Sequence, residues 1–323
     1  MVTEYSVELE SVQTPKNKEH FDVLVIGSGP AGMSAALCSR RAGLKVLIID
    51  KALPGGQTST AYNINNYLGF PNGILGVDLS GKMELQLKQQ GVFFLCDQVI
   101  DVLTCSEKAK QVKTVLGHVY FTKSIVLATG LEPKPLDKSF EKRFLGRGVS
   151  YYAQGDGLSY QGKSVAVIGG GNCACYAADY LLNFVERLYL IHRGNDIKAV
   201  RVLKDKVLKH QNLVVLWETD VLGVFGVDKV EKLKCQHLYT GQETWLDVQC
   251  VFIYVGRVPS SEFFLLDLQT DEGGYVLTDD YMRTSIPGIY AVGDIRHKQI
   301  RQIATAVSDG MIAAINIERD LFR

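Results

Sequence analysis

A short apolar run that stops at three spaced glycines constrains this chain more than any other stretch: Phe21-Asp-Val-Leu-Val-Ile-Gly-Ser-Gly-Pro-Ala-Gly32. The run predicts a fully buried parallel strand, with Met33 to Arg40 continuing as a helix. Gly27, Gly29 and Gly32 form G-x-G-x-x-G. In that pattern the first glycine permits a tight turn, the second leaves room for a pyrophosphate, and the third lets helix and strand pack closely. Unpaired N–H groups at the helix start then face the phosphates. The next strand, Lys45 to Asp50, ends in a carboxylate 21 residues after Gly29, placed to accept from a ribose hydroxyl. Strand, glycine turn, helix and acid stand in register, so the spacing predicts a dinucleotide site.

The pattern then returns. Lys163-Ser-Val-Ala-Val-Ile-Gly-Gly-Gly-Asn-Cys-Ala174 puts Gly169, Gly171 and Ala174 on the three positions, and a second strand, Leu188 to His192, ends 21 residues after Gly171. Such self-similarity predicts two nucleotide-binding domains of one ancestry. Between the two turns the pattern predicts an amphipathic helix over Leu75 to Gln90 and strands over Val92–Leu95, Gln98–Thr104 and Thr114–Phe121. A further buried strand starts at Ser124 and ends in Ala128-Thr-Gly130, where small residues let a backbone approach a ligand. Beyond the second turn follow a helix over Val200 to Lys209 and strands near Leu213–Trp217, Val221–Val227, Leu233–Tyr239 and Gln249–Val255. Gly256-Arg-Val-Pro259 reads as a hinge back to the first domain. The strand Gly288 to Asp294 and a helix over Ile303 to Leu321 close the chain. Residues 1–20 read as a polar arm or an added edge segment.

At 323 residues, 46% hydrophobic and 22% charged, the chain suits two soluble domains. Lys+Arg and Asp+Glu balance at 35 each, which gives no electrostatic case for nucleic acid or an anionic membrane. No run reaches the roughly 18 apolar residues that a membrane span needs, and the N-terminus has no apolar signal core. Seven scattered cysteines fit reduced thiols, and so a cytoplasmic setting, better than a disulfide scaffold. His118, His210, His237 and His297 lack metal-ligand spacing, so no metal site is expected.

Residues 20–323 resemble the low-molecular-weight thioredoxin reductase family. The resemblance rests on Gly27–Gly32, Gly55-Gly-Gln57, Asn66, Gly69, Pro71, Ala128-Thr-Gly130, Gly148-Val-Ser-Tyr151, Asp156-Gly157, the second glycine turn, Thr284–Asp294 and Arg301-Gln302. It implies an α/β fold of two Rossmann-like dinucleotide-binding domains, the second inserted into the first. An FAD domain would cover 21–134 and 259–323, and a nicotinamide-type domain 135–258, in a homodimer. For FAD it implies Gly27, Ser28, Gly29, Pro30, Ala31 and Gly32 at the pyrophosphate, with Asp50 and Lys51 at the adenosine ribose. Gln57 and Asn66 would line the flavin, and Gly56, Ala128, Thr129 and Gly130 would belong to the same cofactor site. Gly293 and Asp294 would hold the ribityl chain, with Arg301, Gln302 and Ile303 near the pyrimidine edge.

Three departures set the chain apart from that family. Where the family carries Cys-x-x-Cys, this chain reads Tyr152-Ala-Gln-Gly155, so no thiolate can act there. Asp156, matching the family's general acid, has lost its partner thiol. The family's 2′-phosphate clamp, His-Arg-Arg-x-x-x-Arg, is reduced to His192-Arg193-Gly-Asn-Asp-Ile-Lys198. Neither NADPH nor NADH is well specified. The third departure is a gain, Cys173-Ala-Cys175 at a helix start. There the dipole favours a thiolate, yet residues two apart on a helix point apart, and both can equally be small buried thiols.

Tyr151 and Tyr152 read either as ring-stacking platforms or as fillers of an interface. Gly169, Gly171, Asn172, Tyr151, Tyr152, His192, Arg193, Lys198 and Gly256 are the candidate residues for a second nucleotide. That nucleotide is a nicotinamide cofactor or, as in the diflavin-linked disulfide oxidoreductase branch this chain is similar to, a second FAD. The leading expectation is an FAD-dependent oxidoreductase serving a dithiol or disulfide substrate through Cys173 and Cys175, with a thioredoxin-like or ferredoxin-like partner. An NAD(P)H-, ferredoxin- or flavodoxin-linked flavin reductase without a relay and a non-catalytic flavin redox sensor are the alternatives. The cluster Arg201, Lys204, Lys206 and Lys209 reads as a solvated helix face or as a dock for an acidic donor protein.

Overall fold

The computed structural model describes residues 15–106, 109–136, 139–260 and 266–322. Most of the N-terminal arm, residues 1–14, lies outside the described residues. The chain divides into two compact units, one built from the chain up to Leu131 and from Pro259 onward, the other from Glu132–Val258.

The first unit is organised on a sheet whose strands run in the order Phe93–Cys96, Val46–Asp50, His20–Ile26, Val119–Leu127, Ala109–Thr114, Val99–Ser106. The first four are parallel, and the last two join antiparallel. His20 already pairs with Phe121, so the strand starts inside the expected arm. Val23, Leu24 and Val25 are all fully buried, which is why the run is apolar without alternation. Opposite His20–Ile26, the long strand Val119–Leu127 serves two partners along its other edge, Ala109–Thr114 with its first half and Ile289–Ala291 with its last three residues. Helix Pro30–Arg41 packs on the closing helix Ile303–Leu321, joined by Ser34 Oγ donating to the Val307 carbonyl at 2.7 Å. A Cβ at Gly310 would run into the Ala31 carbonyl, so only glycine lets the helices approach this closely.

One strand expectation fails here. Thr114–Phe121 is not one strand: Gly117 turns the chain at φ +83°, Thr114 ends one strand and Val119 begins the next. The other expected elements fall within a few residues of their bounds, while the strands Ala109–Thr114, Val149–Ser150 and Glu243–Asp247 and the helix Ser139–Phe144 are among those the sequence did not announce.

The second unit carries an all-parallel sheet in the order Leu213–Leu216, Arg187–Ile191, Ser164–Ile168, Cys250–Ile253, Val149–Ser150. Helix Asn172–Leu181 packs on it through Ala174, Cys175, Ala177, Ala178 and Leu181. An antiparallel ribbon of Thr219–Phe225, Lys232–His237 and Glu243–Asp247 completes the unit. Among the described residues no helix is long and apolar enough to cross a membrane.

Candidate functional site

The three glycines of the first turn have different physical duties. Gly27 sits at φ +103°, and a Cβ there would strike the Ala128 carbonyl. A Cβ at Gly32 would strike the Gly27 carbonyl, whereas at Gly29 nothing lies within 4 Å. The turn is therefore closed on its protein side and open at Gly29, the N-cap of a helix that begins with Pro30. An open, unshielded helix start is where a pyrophosphate fits.

Asp50, expected at a ribose, also fastens this turn. Its Oδ2 accepts from the Ser28 N–H at 2.6 Å and Ser28 Oγ at 2.7 Å, and its Oδ1 from the Ala52 N–H at 3.0 Å. Lys51 follows directly and is exposed. Gly56 backs the turn, since a Cβ there would lie 3.3 Å from the Gly29 Cα. Gln57 Nε2 donates to the Leu131 carbonyl at 3.0 Å, and Gly130 takes φ +66° beside it.

Thr129 Oγ1 is buried and has no hydrogen-bond partner among the described residues. An orphaned buried hydroxyl between Ala128 and Gly130 is the kind of group a bound ligand satisfies. Together with the open Gly29, it fits this face to an FAD.

The far end of the chain returns to the same place. The turn Gly293–Ile295 follows strand Ile289–Ala291, and a Cβ at Gly293 would lie 2.8 Å from that of Ala31. This brings Asp294 beside the first turn. Arg301 Nε donates to the Asp294 carbonyl at 3.4 Å, its guanidinium 4.1 Å over the Tyr275 ring. Gln302 caps the helix that Ile303 opens, in a capping box with Thr305, and its Oε1 accepts from Asn66 Nδ2 at 2.9 Å.

Asp309 was missed from sequence. Almost fully buried, it accepts from the Gly293 N–H at 3.0 Å, Lys298 Nζ at 2.8 Å and Arg296 Nη1 at 3.3 Å. An acid on the buried face of the closing helix, a turn from Ala306 and Ala313, was the available signal.

The second turn repeats the design. Gly169, at φ +138°, would drive a Cβ into the Tyr254 carbonyl, while Gly171 is open. A cleft of about 640 Å³ lies over it, lined by the turn from Gly169 to Cys173 and by Tyr151, His192, Arg193, Asp220, Tyr254 and Gly256. The His192 ring lies on Gly170, and its Nε2 faces the Asp196 carbonyl at 3.0 Å. Arg193 is ion-paired with Asp220 at 2.9 Å. Lys198 contributes its backbone, an N–H to the Gly170 carbonyl at 2.8 Å, and Asn172 Oδ1 accepts from the Val200 N–H at 2.8 Å.

The expected cysteine pair does not come together. Both residues lie in the first turn of a regular helix, where a spacing of two sends side chains to different faces. Cys173 is exposed and lines the cleft. Cys175 is 0% exposed in the apolar core, and burial pushes its thiol up to about 11. The two thiols thus have different surroundings, Cys173 on the cleft and Cys175 in the core.

The segment Tyr151–Asp156 is self-contained. Tyr152 is 40% exposed, with its ring over Gly155, and Tyr151 packs partly buried on a core that includes Val149 and Ile168. Asp156 Oδ2 accepts from Ser150 Oγ at 2.6 Å, and Ser150 Oγ accepts from the Tyr152 N–H at 2.8 Å. Asp156 thus staples this turn. The basic helix Arg201–Val207 is largely paired as well, Lys204 with Asp196 and Lys206 with Asp179 at 2.8 Å.

Comparison with known proteins agrees with this geometry. The family model described as Pyridine nucleotide-disulphide oxidoreductase matches residues 21–310. The chain is 39% identical over 302 residues to a thioredoxin reductase of Listeria innocua, covering 93% of each. It is 35% identical to a 34.2 kDa protein in a rubredoxin operon of Clostridium pasteurianum, covering 94% of this chain and 98% of that one. A crystal structure of Lactococcus lactis thioredoxin reductase superposes with a TM-score of 0.89 at 37% identity, covering 94% and 99% of the two chains.

Proposed function

This chain belongs to the pyridine nucleotide-disulphide oxidoreductase family and is a flavin-dependent oxidoreductase of the thioredoxin reductase type, and from that premise we propose that it works without a resident dithiol. FAD, held by the first unit, supplies the two-electron chemistry. Gly29 and the start of helix Pro30–Arg41 bind its pyrophosphate, Asp50 orients the turn, and Thr129 Oγ1 and the Asn66–Gln302 pair hold its polar edge. The second unit binds a dinucleotide in the cleft at Gly171. The acceptor is an external disulfide or a small redox protein of thioredoxin or ferredoxin type, and the working form is a homodimer.

The observation that carries this reading is the pair Tyr152 and Gly155 at the relay positions, together with the burial of Cys175. The test is anaerobic turnover with NADH, NADPH or a reduced donor protein, reading both a disulfide and a one-electron acceptor. Activity that survives Cys173→Ser supports the reading. Its loss would restore a thiol step.

A second reading places another FAD in the cleft, favoured by its 640 Å³ volume and the depleted 2′-phosphate clamp. Two flavins released per chain on heating would establish it, and one would remove it.

A further inference from the structure

We propose that the second glycine cradle selects dinucleotides whose adenosine ribose keeps a free 2′-hydroxyl, and that Asp220 is the residue that turns a 2′-phosphate away. The proposal rests on the reading of that cleft as a dinucleotide site. In such a cradle the ribose lies beyond the end of the second strand. Here that strand is Arg187–Ile191, so His192 and Arg193 stand at the ribose position.

Local folding forces Asp220 onto Arg193. The Thr219 N–H donates to the His192 carbonyl and the Glu218 N–H to the Gly194 carbonyl, each at 3.1 Å. Glu218 takes the left-handed φ of +50° to make that turn, a conformation a non-glycine residue holds at a cost. Asp220 then stands second in the strand Thr219–Phe225 beside Arg193, and its Oδ1 accepts from Arg193 Nε at 3.0 Å and Nη2 at 2.9 Å. Arg193 is the one guanidinium left of a 2′-phosphate clamp, and its fork is engaged by a carboxylate that itself lines the cleft. A 2′-phosphate, with nearly two negative charges, meets an occupied arginine and a like charge. The device works by repulsion and leaves a neutral hydroxyl untouched.

His192 provides the attractive half. A carbonyl can only accept, so His192 Nε2 donates to Asp196 and Nδ1 is the ring nitrogen left to face a ligand. Nδ1 lies over the turn, 2.5 Å from where a Cβ at Gly170 would fall. A ribose hydroxyl can donate to it, as it would to the carboxylate usual at this position. A phosphate oxygen has no proton to offer.

The test is calorimetric titration of the purified chain with ADP-ribose and with 2′-phospho-ADP-ribose. The wild type is expected to bind ADP-ribose about tenfold more tightly. Asp220→Asn should close most of that gap by tightening the phosphorylated ligand, with ADP-ribose affinity held within about twofold. Asp220→Ala provides the same reading should the amide disturb the turn, and thermal melts check that each variant is folded. A wild-type preference for the phosphorylated ligand, or a gap unchanged in both variants, overturns the role of Asp220 while leaving the dinucleotide site in place. Failure of the wild type to bind either ligand, with the cleft free of any copurified nucleotide, overturns the dinucleotide reading and this proposal with it. Should a nucleotide beyond one FAD per chain copurify in the cleft, FAD or NAD(H) supports the proposal and NADP(H) overturns it.

Discussion

The ring of Tyr152 lies across the Cα of Gly155, so that any side chain at 155 would collide with the ring. The resemblance to thioredoxin reductases sets a dithiol at these two positions, and here they are complementary, a bulky ring at one meeting a bare Cα at the other. Gly155→Cys alone should therefore destabilise the chain by roughly 1–3 kcal/mol through overpacking. The double variant Tyr152→Cys/Gly155→Cys should recover much of that loss. A double-mutant cycle in urea measures the coupling, expected at about 0.5–3 kcal/mol. Additive effects would mean the ring moves aside freely.

Thiol reactivity should separate the two cysteines of the second turn. At pH 8 a maleimide is expected to label Cys173 quickly and Cys175 only on unfolding, because burial places the Cys175 thiol at about 11 and denies access. Cys235 and Cys250, both buried and pushed up to about 12, should stay equally silent. Peptide mapping after labelling reads the outcome, and rapid native labelling of Cys175 would contradict its placement in the core.

The first turn predicts two different failures from two alanines. Gly27→Ala places a side chain at φ +103° against the Ala128 carbonyl and should cost of order 1–3 kcal/mol or more, visible as a lower Tm. Gly29→Ala meets no protein atom and should leave the fold intact while reducing retained flavin, read as visible absorbance after gel filtration. Equal flavin content in Gly29→Ala and the wild type would move the pyrophosphate elsewhere.

Asp309→Asn should loosen the Gly293 turn. It removes the carboxylate shared by Lys298 and Arg296, leaving two largely buried cations without their acid, at a cost of about 3–5 kcal/mol. Urea unfolding of the variant with and without added FAD is the measurement, and the loss should be larger with FAD present. A loss independent of FAD would make Asp309 purely structural.

Acid should attack the hairpin turn around Gly117, which Asp97 fastens through Leu116 and His118. Burial raises this carboxyl, but bonds from Thr114, His118 and the Gln98 and Leu116 N–H groups outweigh it and hold the folded value below 3.8. The unfolded state then binds more protons in that range, so the contribution is complete above about pH 4 and fades as pH falls through the folded value. Asp97→Asn should flatten this part of the stability profile, followed by urea midpoints between neutral pH and pH 3. An unchanged acid limb would assign it to other carboxylates.

Much of this molecule was legible because its signals are local. A buried strand, a glycine turn and a helix are specified within about a dozen adjacent residues, and the first and second turns could be read directly. The break at Gly117 was not, because Val115 and Leu116 are apolar and exposed, and continue a strand-like pattern through a turn. Asp309 and Asp220 escaped for a different reason. Their partners, Gly293 and Arg193, are 16 and 27 residues away along the chain, and only folded geometry brings the charges together. For Cys173 and Cys175 the helical spacing was legible, but the depth at which each thiol lies was not, because it depends on the packing of the whole helix.

The strand Val119–Leu127 has a bearing on how the protein is made. Its last three residues pair with Ile289–Ala291, so the first unit cannot complete its sheet until almost the whole polypeptide has left the ribosome. The unit formed by Glu132–Val258 is continuous and meets no such delay. A nascent chain stalled once residue 258 has cleared the exit tunnel should thus show a protease-resistant fragment from the middle of the sequence, while its N-terminal third is still open to cleavage.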